Sequence, residues 1–239
     1  MVTLASDFGS GSPYVAAMKA VLLRAGVQAP LLDVDHDLAP FDIPTAAFVL
    51  WAATREFAGL ASVHLAVVDP GVGADRRCLA FDCGDGRRYV GPDNGLFEFV
   101  LRHAEQPVQA VELPVPAAAA PTFHGRDVFA PAAAALAAGA SVDSRGARCG
   151  DLARLPLREP QVLWVDRFGN LITSLRSLPG ELAVAGRPVV QAHRTFAGAS
   201  PGIPFMYLGS LGYVEVGVRD GNAAVQLGVG IGSAVVVPS

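Results

Sequence analysis

Lysine is almost missing from this 239-residue chain: of 18 basic residues only Lys19 is one. The skew toward arginine carries no function by itself. The formal net charge is −4 and no Lys/Arg run forms a patch, which excludes an electrostatic footprint for nucleic acid. No apolar run approaches the ~18–20 residues needed to span a bilayer, so a membrane partner is not expected. The opening MVTLASDFG has neither the basic n-region nor the apolar h-region of a signal peptide, which points to a cytoplasmic protein. Cysteine is scarce, with three residues. Cys78 and Cys83 read as sharing one strand on opposite faces, too far apart to bridge, and Cys149 stands alone. No CxxC suggests zinc or redox work. GxxxxGK[ST] and HExxH are absent too, which removes the P-loop and the zincin, and GNLIT and GSLG contain no GxSxG elbow to supply a serine-hydrolase nucleophile. GVGIGS (228–233) echoes a phosphate loop but opens no helix.

What the chain does have is apolar sequence, 51% hydrophobic against 17% charged, enough for a substantial core. VTLAS (2–6) reads as a strand. Ser12-Pro13 is a helix start, N-cap then N1, with Val15, Met18, Val21 and Leu22 on one face up to Gly26. PLLDVD (30–35) is a second strand, and a helix follows from about Pro44 to Phe57. SVHLAVV (62–68) is a third strand, CLAFD and RRYVG form a hairpin, and NGLFEFVLRHA (94–104) is helical. After a strand near 108–113, RDVFAPAAAALAAG makes a helix closed by Gly139. This alternation predicts an α/β layer with a mostly parallel sheet. Beyond the aperiodic stretch 140–160 no helix is evident. QVLWVD, LITSL, ELAVAG, RPVVQAH, FMYLGS, YVEVGV, AAVQLG and SAVVVP read as short strands, the pattern of a small all-β barrel or sandwich. Two domains are expected, 1–158 and 159–239.

Polar clusters fall at strand ends, where ligands collect in α/β sheets: Asp7, Asp33-Val-Asp35-His36-Asp37, Asp69 in VVDPGVG, Asp93-Asn94, and His124 to Asp127. Each alone reads equally well as a turn or cap residue. Together they are harder to dismiss, because a cap needs no Pro-Gly-x-Gly to fix its position. Carboxylates with His36 and His124 could also supply metal ligands, although no HxH or HxxxH spacing is present. His64 and His103 read as structural.

The stretches TLASDFG…YVAAMKAVL, DVDHDLAPFDIPTAAFVL, HLAVVDPGVGADRR, YVGPDNGLF, TFHGRDVFAPAAAALAAG, DRFGNLITSL and LGSLGYVEVGV resemble, in order and spacing, the S-adenosylmethionine (SAM) hydroxide adenosyltransferases. That family is related to the adenosyl-fluoride and adenosyl-chloride synthases. The resemblance implies an α/β N-terminal domain, a β-barrel-like C-terminal domain and a homotrimer with substrate held between subunits. It implies attack of water or hydroxide on C5′ of SAM, releasing L-methionine and adenosine, with no cofactor and no metal. It assigns Asp69, Arg76 and His124 to the water, with His124 as general base or orienter. Asp7 would take the ribose hydroxyls, and Phe8 and Phe41 would line the nucleoside. Asp166 would meet the methionine ammonium, Phe168 the adenine face, Asn170 an adenine edge and Ser210 the methionine carboxylate. The halide enzymes have an arginine after that serine where this chain has Leu211. Other readings are an adenosyl-halide synthase or a non-catalytic SAM- or adenosine-binding protein. An ordinary Asp69–Arg76 salt bridge with His124 capping the following helix is a third. Arg77 is expected on the opposite face, in solvent.

Overall fold

In a computed structural model, which describes residues 1–238, the chain divides into two compact units, Met1–Leu155 and the residues from Pro156 onward. The first is built on β1 (Val2–Ser6), buried at all five positions. Helix α1 (Pro13–Arg24) starts where Ser12 accepts the Tyr14 N–H, and it buries Val15, Met18 and Leu22. Strand β2 (Leu31–Asp35) follows, then α2 (Ile43–Thr54), capped by Asp42. Next come β3 (Ser62–Val67), β4 (Cys78–Asp82), β5 (Arg87–Pro92), α3 (Glu98–Arg102) and β6 (Gln109–Glu112). A π-helical turn, Gly125–Phe129, leads into α4 (Ala130–Ala137), and β7 (Ala147–Cys149) ends the unit's strands.

The sheet order is β2-β1-β3-β5-β4-β6-β7. The pairings among β2, β1, β3 and β5 are parallel. Those joining β5 to β4, β4 to β6 and β6 to β7 are antiparallel. The sheet is therefore mixed rather than mostly parallel. The short CGDG turn closes β4 onto β5 as a hairpin, and antiparallel growth continues outward from it. α4 buries Ala130, Ala132, Ala133 and Ala134. Their small side chains let it share one core cluster with Leu65 and Val67 of β3 and with Met18 of α1.

The second unit contains β8 (Val162–Val165), β9 (Leu171–Thr173), β10 (Leu182–Val184), β11 (Arg187–Val189), β12 (Gln191–Ala192), β13 (Pro204–Leu208), β14 (Val214–Val218) and β15 (Val235–Val236). They form a five-stranded sheet, β12-β13-β14-β9-β8, and a three-stranded one, β11-β10-β15. Among the described residues these do not close into a barrel. AAVQLG, expected as a strand, is instead α5 (Ala223–Leu227). The Asn222 side chain accepts the Val225 N–H, and Gly228, at φ 64°, ends the helix. No helix among the described residues is long and apolar enough to cross a membrane.

Candidate active site

Asp69 stands at the end of a strand buried throughout, and its predecessor Val68 is 1% exposed. The Val68 carbonyl accepts a hydrogen bond from Asn94 Nδ2 at 2.9 Å. The chain then turns tightly, with Val72 N–H donating to Asp69 O and Ala74 N–H to Gly71 O. Gly73 is at φ 79°, and a Cβ there would lie 2.5 Å from Pro121 O, so this position needs glycine. The turn returns Arg76 to face Asp69 across seven residues.

Arg76 is engaged on every side. Its Nε donates to both Asp69 oxygens at 3.0 Å, and Nη2 donates to Oδ2 at 2.5 Å. Nη2 also lies 2.9 Å from His124 Nδ1, and Nη1 donates to Cys78 Sγ at 2.8 Å. The guanidinium lies 5.3 Å from the Phe129 ring centroid, within cation–π range. Burial alone would disfavour its charge, but the Asp69 contacts and Cys78 outweigh this and hold its pKa above the ordinary value.

A guanidinium can only donate. His124 Nδ1 must therefore accept, and the neutral imidazole carries its proton on Nε2. The ring is 5% exposed. Burial first, then the Arg76 charge, push its pKa below the usual 6.5, with Asp69 and Asp127 opposing. His124 stands at the N-cap position of the turn that follows but makes no side-chain capping hydrogen bond there. Cys78 and Phe129 complete this cluster and were not picked out from the sequence.

Asp7 follows β1 directly. Its Oδ2 accepts the Phe41 N–H at 2.9 Å, while Phe41 is 68% exposed and held at φ 65°. A large residue in the left-handed region is strained. Phe8 packs edge-on against Tyr14 and Phe123, with ring centroids 5.6 and 6.0 Å apart, so the Asp7 loop is braced against the residue preceding His124. Behind it, His36 Nδ1 meets Ser6 Oγ at 2.7 Å and Nε2 meets Asp33 Oδ1 at 3.1 Å, while Lys19 donates to Asp33 at 2.6 Å. Ser6 is fully buried, which denies it a nucleophile's access. The His36 carbonyl accepts the Gly9 N–H at 2.7 Å, so this relay pins the loop. Among the described residues no three His, Cys, Asp or Glu side chains converge as a metal site.

In the second unit, Asp166, Phe168, Asn170 and Ser210 line one cavity of about 640 Å³. Asp166 organises its own turn: Oδ1 accepts the Phe168 and Asn170 N–H groups at 2.9 and 2.8 Å, and Oδ2 accepts Asn170 Nδ2 at 2.8 Å. Phe168 is thereby presented 78% exposed. The same cavity is lined by Phe196, Tyr207 and Glu215, which the sequence reading passed over. Tyr207 and Glu215 are directly paired across β13 and β14, and that pairing appears only once register is known.

Arg77 is not free in solvent as expected. It pairs with Asp93 at 2.6 Å and donates to the Asp151 carbonyl at 2.8 Å, while Asp93 Oδ1 accepts the Ala153 N–H. It ties segment 151–153 to the end of β5, because Asp93 follows that strand on the same side.

The profile of the SAM hydroxide adenosyltransferase N-terminal domain matches residues 2–146, and that of the C-terminal domain matches 160–236. The chain belongs to this family. Among known family relatives, an (R)-S-adenosyl-L-methionine hydrolase of Thermus thermophilus is 44% identical, covering 94% of each chain. One from Salinispora arenicola is 43% identical, covering 95% of this chain and 94% of its own. A solved structure of an uncharacterized conserved protein from Thermotoga maritima matches with a TM-score of 0.89 at 29% identity, covering 98% of this chain and 99% of that one. A fluorinase of Actinoplanes sp. stands further off, 25% identical over 90% of each chain.

Proposed function

We propose that this chain hydrolyses S-adenosyl-L-methionine to adenosine and L-methionine. The observation that carries the reading is the closed Asp69–Arg76–His124 cluster, in a family whose members include SAM hydrolases. Water attacks C5′ in line with the sulfonium. A C5′–O bond forms, the C5′–S bond breaks, and its electron pair goes to sulfur, which leaves as the neutral thioether of methionine. No general acid is needed, because the leaving group starts positively charged. The demand falls on the nucleophile, since free water has a pKa near ~15.7.

His124, protonated on Nε2, donates to the water oxygen and aims it. Asp69 accepts the proton that the water loses as the new bond forms. Arg76 touches no substrate in this scheme; its fork fixes the Asp69 carboxylate and the His124 tautomer together. This makes His124 an orienter rather than the base. Asp7 takes the ribose hydroxyls, Phe8 and Phe41 border the nucleoside, Phe168 stacks on adenine and Asn170 reads its edge. Asp166 meets the ammonium and Ser210 the carboxylate. The reaction needs no cofactor. The domains extend over 1–158 and 159–239. The protein acts as a homotrimer with active sites at subunit interfaces, as the resemblance implies, and in the cytoplasm.

The halide-synthase reading is disfavoured by Asp69, because a carboxylate beside a halide nucleophile repels it strongly in a low dielectric. The test is to incubate the purified protein with SAM, with and without chelator and with and without chloride or fluoride, and to separate the products. Adenosine and methionine in every arm is the expected result. A 5′-halo-5′-deoxyadenosine product would establish the halide reading, chelator sensitivity a metal enzyme, and no turnover a binding protein.

A further inference from the structure

His124 stands at the end of a stretch that no regular element supports. Between β6 and the π-helical turn the chain forms neither strand nor helix, yet the imidazole has to meet Arg76 at 2.9 Å. Two sets of contacts fix it. The turn that carries Asp69 lies directly on this stretch: a Cβ at Gly73 would be 2.5 Å from Pro121 O and 3.5 Å from Pro121 Cβ. From the far end, Asp127 reaches back seven residues, and its Oδ2 accepts the Ala120 N–H at 2.8 Å. Within the span, Phe123 N–H donates to Ala120 O at 3.1 Å and Asp127 N–H to Phe123 O at 3.2 Å. Residues 120–127 are thus closed on themselves, with Pro121 and His124 in the loop.

Arg126 holds the Asp127 carboxylate in turn, Nε donating to Oδ1 at 2.6 Å and Nη2 to Oδ2 at 2.8 Å, while its guanidinium lies 5.1 Å from the Phe123 ring centroid. Among the described residues Asp127 makes no hydrogen bond to His124 or to Arg76. An acidic residue in the first turn of a helix, where Asp127 stands, is ordinarily an answer to the helix dipole. A dipole partner has no need of one particular N–H seven residues upstream. The geometry points to Asp127 as a positioning residue: it closes the 120–127 loop, seats Pro121 on the Asp69 turn, and so holds the His124 imidazole where Arg76 and the water need it. The inference rests on the reading of His124 as the group that aims the water.

Arg126 above all holds the Asp127 pKa below the ordinary carboxylate range, with burial opposing and the Ala120 N–H adding, so the clasp is closed at neutral pH. Its role separates from simple electrostatics by sign. Burial and then Arg76 lower the His124 pKa, while Asp69 and Asp127 raise it. Removing the Asp127 charge from an otherwise unmoved site would push that pKa further down. Releasing the loop withdraws the burial and the Arg76 contact, and lets it rise toward 6.5.

The test compares wild type with Asp127→Ala, Asp127→Ser and Asp127→Asn, by steady-state kinetics on SAM and by ¹⁵N NMR titration of His124 in the ligand-free protein. In Asp127→Ala kcat should fall on the order of 100-fold, as for a catalytic group displaced by about 1 Å. KM should hold, because Asp127 touches no substrate. The His124 pKa should rise, and the Nδ1–H tautomer should appear beside Nε2–H. Asp127→Ser, too short to reach Ala120 but suited to a first helical turn, should repeat this pattern, and it decides the matter if the alanine variant does not fold. Asp127→Asn keeps an oxygen for the Ala120 N–H and should recover most of the lost kcat. A His124 pKa that falls or stays put, equal losses in the asparagine and alanine variants, or a rise in KM at constant kcat would make Asp127 a dipole partner and overturn the inference. The titration needs no turnover, so a wild type that fails to hydrolyse SAM would end the hydrolase reading while the NMR still shows whether Asp127 places His124.

Discussion

The Asp69–Arg76–His124 cluster and the second-unit cavity are both built on acidic groups, but they are finished differently. In the first, the Arg76 contacts leave no freedom: Nε, Nη1 and Nη2 each have a partner and an aromatic ring lies against the guanidinium. In the second, the Phe168 ring stands 78% exposed. The difference reflects what each must do. A group that handles a water proton has to be aimed before substrate arrives, since reorganisation during the reaction raises the barrier. A group that recognises a ligand has to keep a face uncovered until the ligand supplies the partner.

That contrast breaks first at Asp69. Asp69→Asn keeps the shape but removes the proton acceptor, and kcat should fall by about 10²–10⁴-fold with KM little changed. Steady-state kinetics on SAM checks this. A change confined to KM would place Asp69 among the recognition groups and erase the distinction.

Phe168→Ala should do the reverse. Base–aromatic stacking contributes about 1–3 kcal/mol, so KM should rise by about five- to 150-fold while kcat holds. A fall in kcat at constant KM would mean that Phe168 acts in the chemical step.

A third prediction concerns the strand on which Asp69 is mounted. His64 in β3 is buried between Thr3 and Ser62, at 2.8 and 3.0 Å. Burial, with Arg87 adding, pushes its pKa down to about 3. Its folded value lies below its unfolded one, so the associated stability is full above about pH 6.5 and is lost as pH falls toward 3. The slope is about 1.4 kcal/mol per pH unit. Melting temperature followed from pH 7 downward should decline more steeply in wild type than in His64→Gln. Parallel curves would contradict the assignment.

The smallest effect is at Phe41. Glycine removes the strain of the left-handed backbone, so Phe41→Gly should stabilise the fold by about 1–2 kcal/mol while raising KM for SAM. Higher stability with unchanged KM would show that the strained ring has no part in binding.

The two regions also differed in how far the sequence exposed them. The Asp69 mount was readable because its signals are local: an apolar run, Pro70, Gly71 and Gly73, and a guanidinium seven residues on. His124 stood among the strand-end clusters, but its link to Asp69 and Arg76 came only with the family resemblance, since it lies 48 residues beyond Arg76 in the chain. α1 and the β4–β5 hairpin were legible from capping residues and alternation. α5 was not, since five residues give too little periodicity to outweigh neighbouring strands, although Asn222 and Gly228 marked its ends. β7 is short and mostly exposed, so no apolar alternation announced it. Tyr207 and Glu215 escaped because facing positions on two strands depend on register, and Arg77 because its partner Asp93 lies on a different strand end.

The central claim is that water is the nucleophile at C5′. Turnover of SAM in ¹⁸O-enriched water, with chelator and chloride present, tests it most directly. The account predicts adenosine carrying one ¹⁸O at its 5′-hydroxyl, formed together with unlabelled methionine. Adenosine without the label, or a 5′-chloro product in its place, would contradict it.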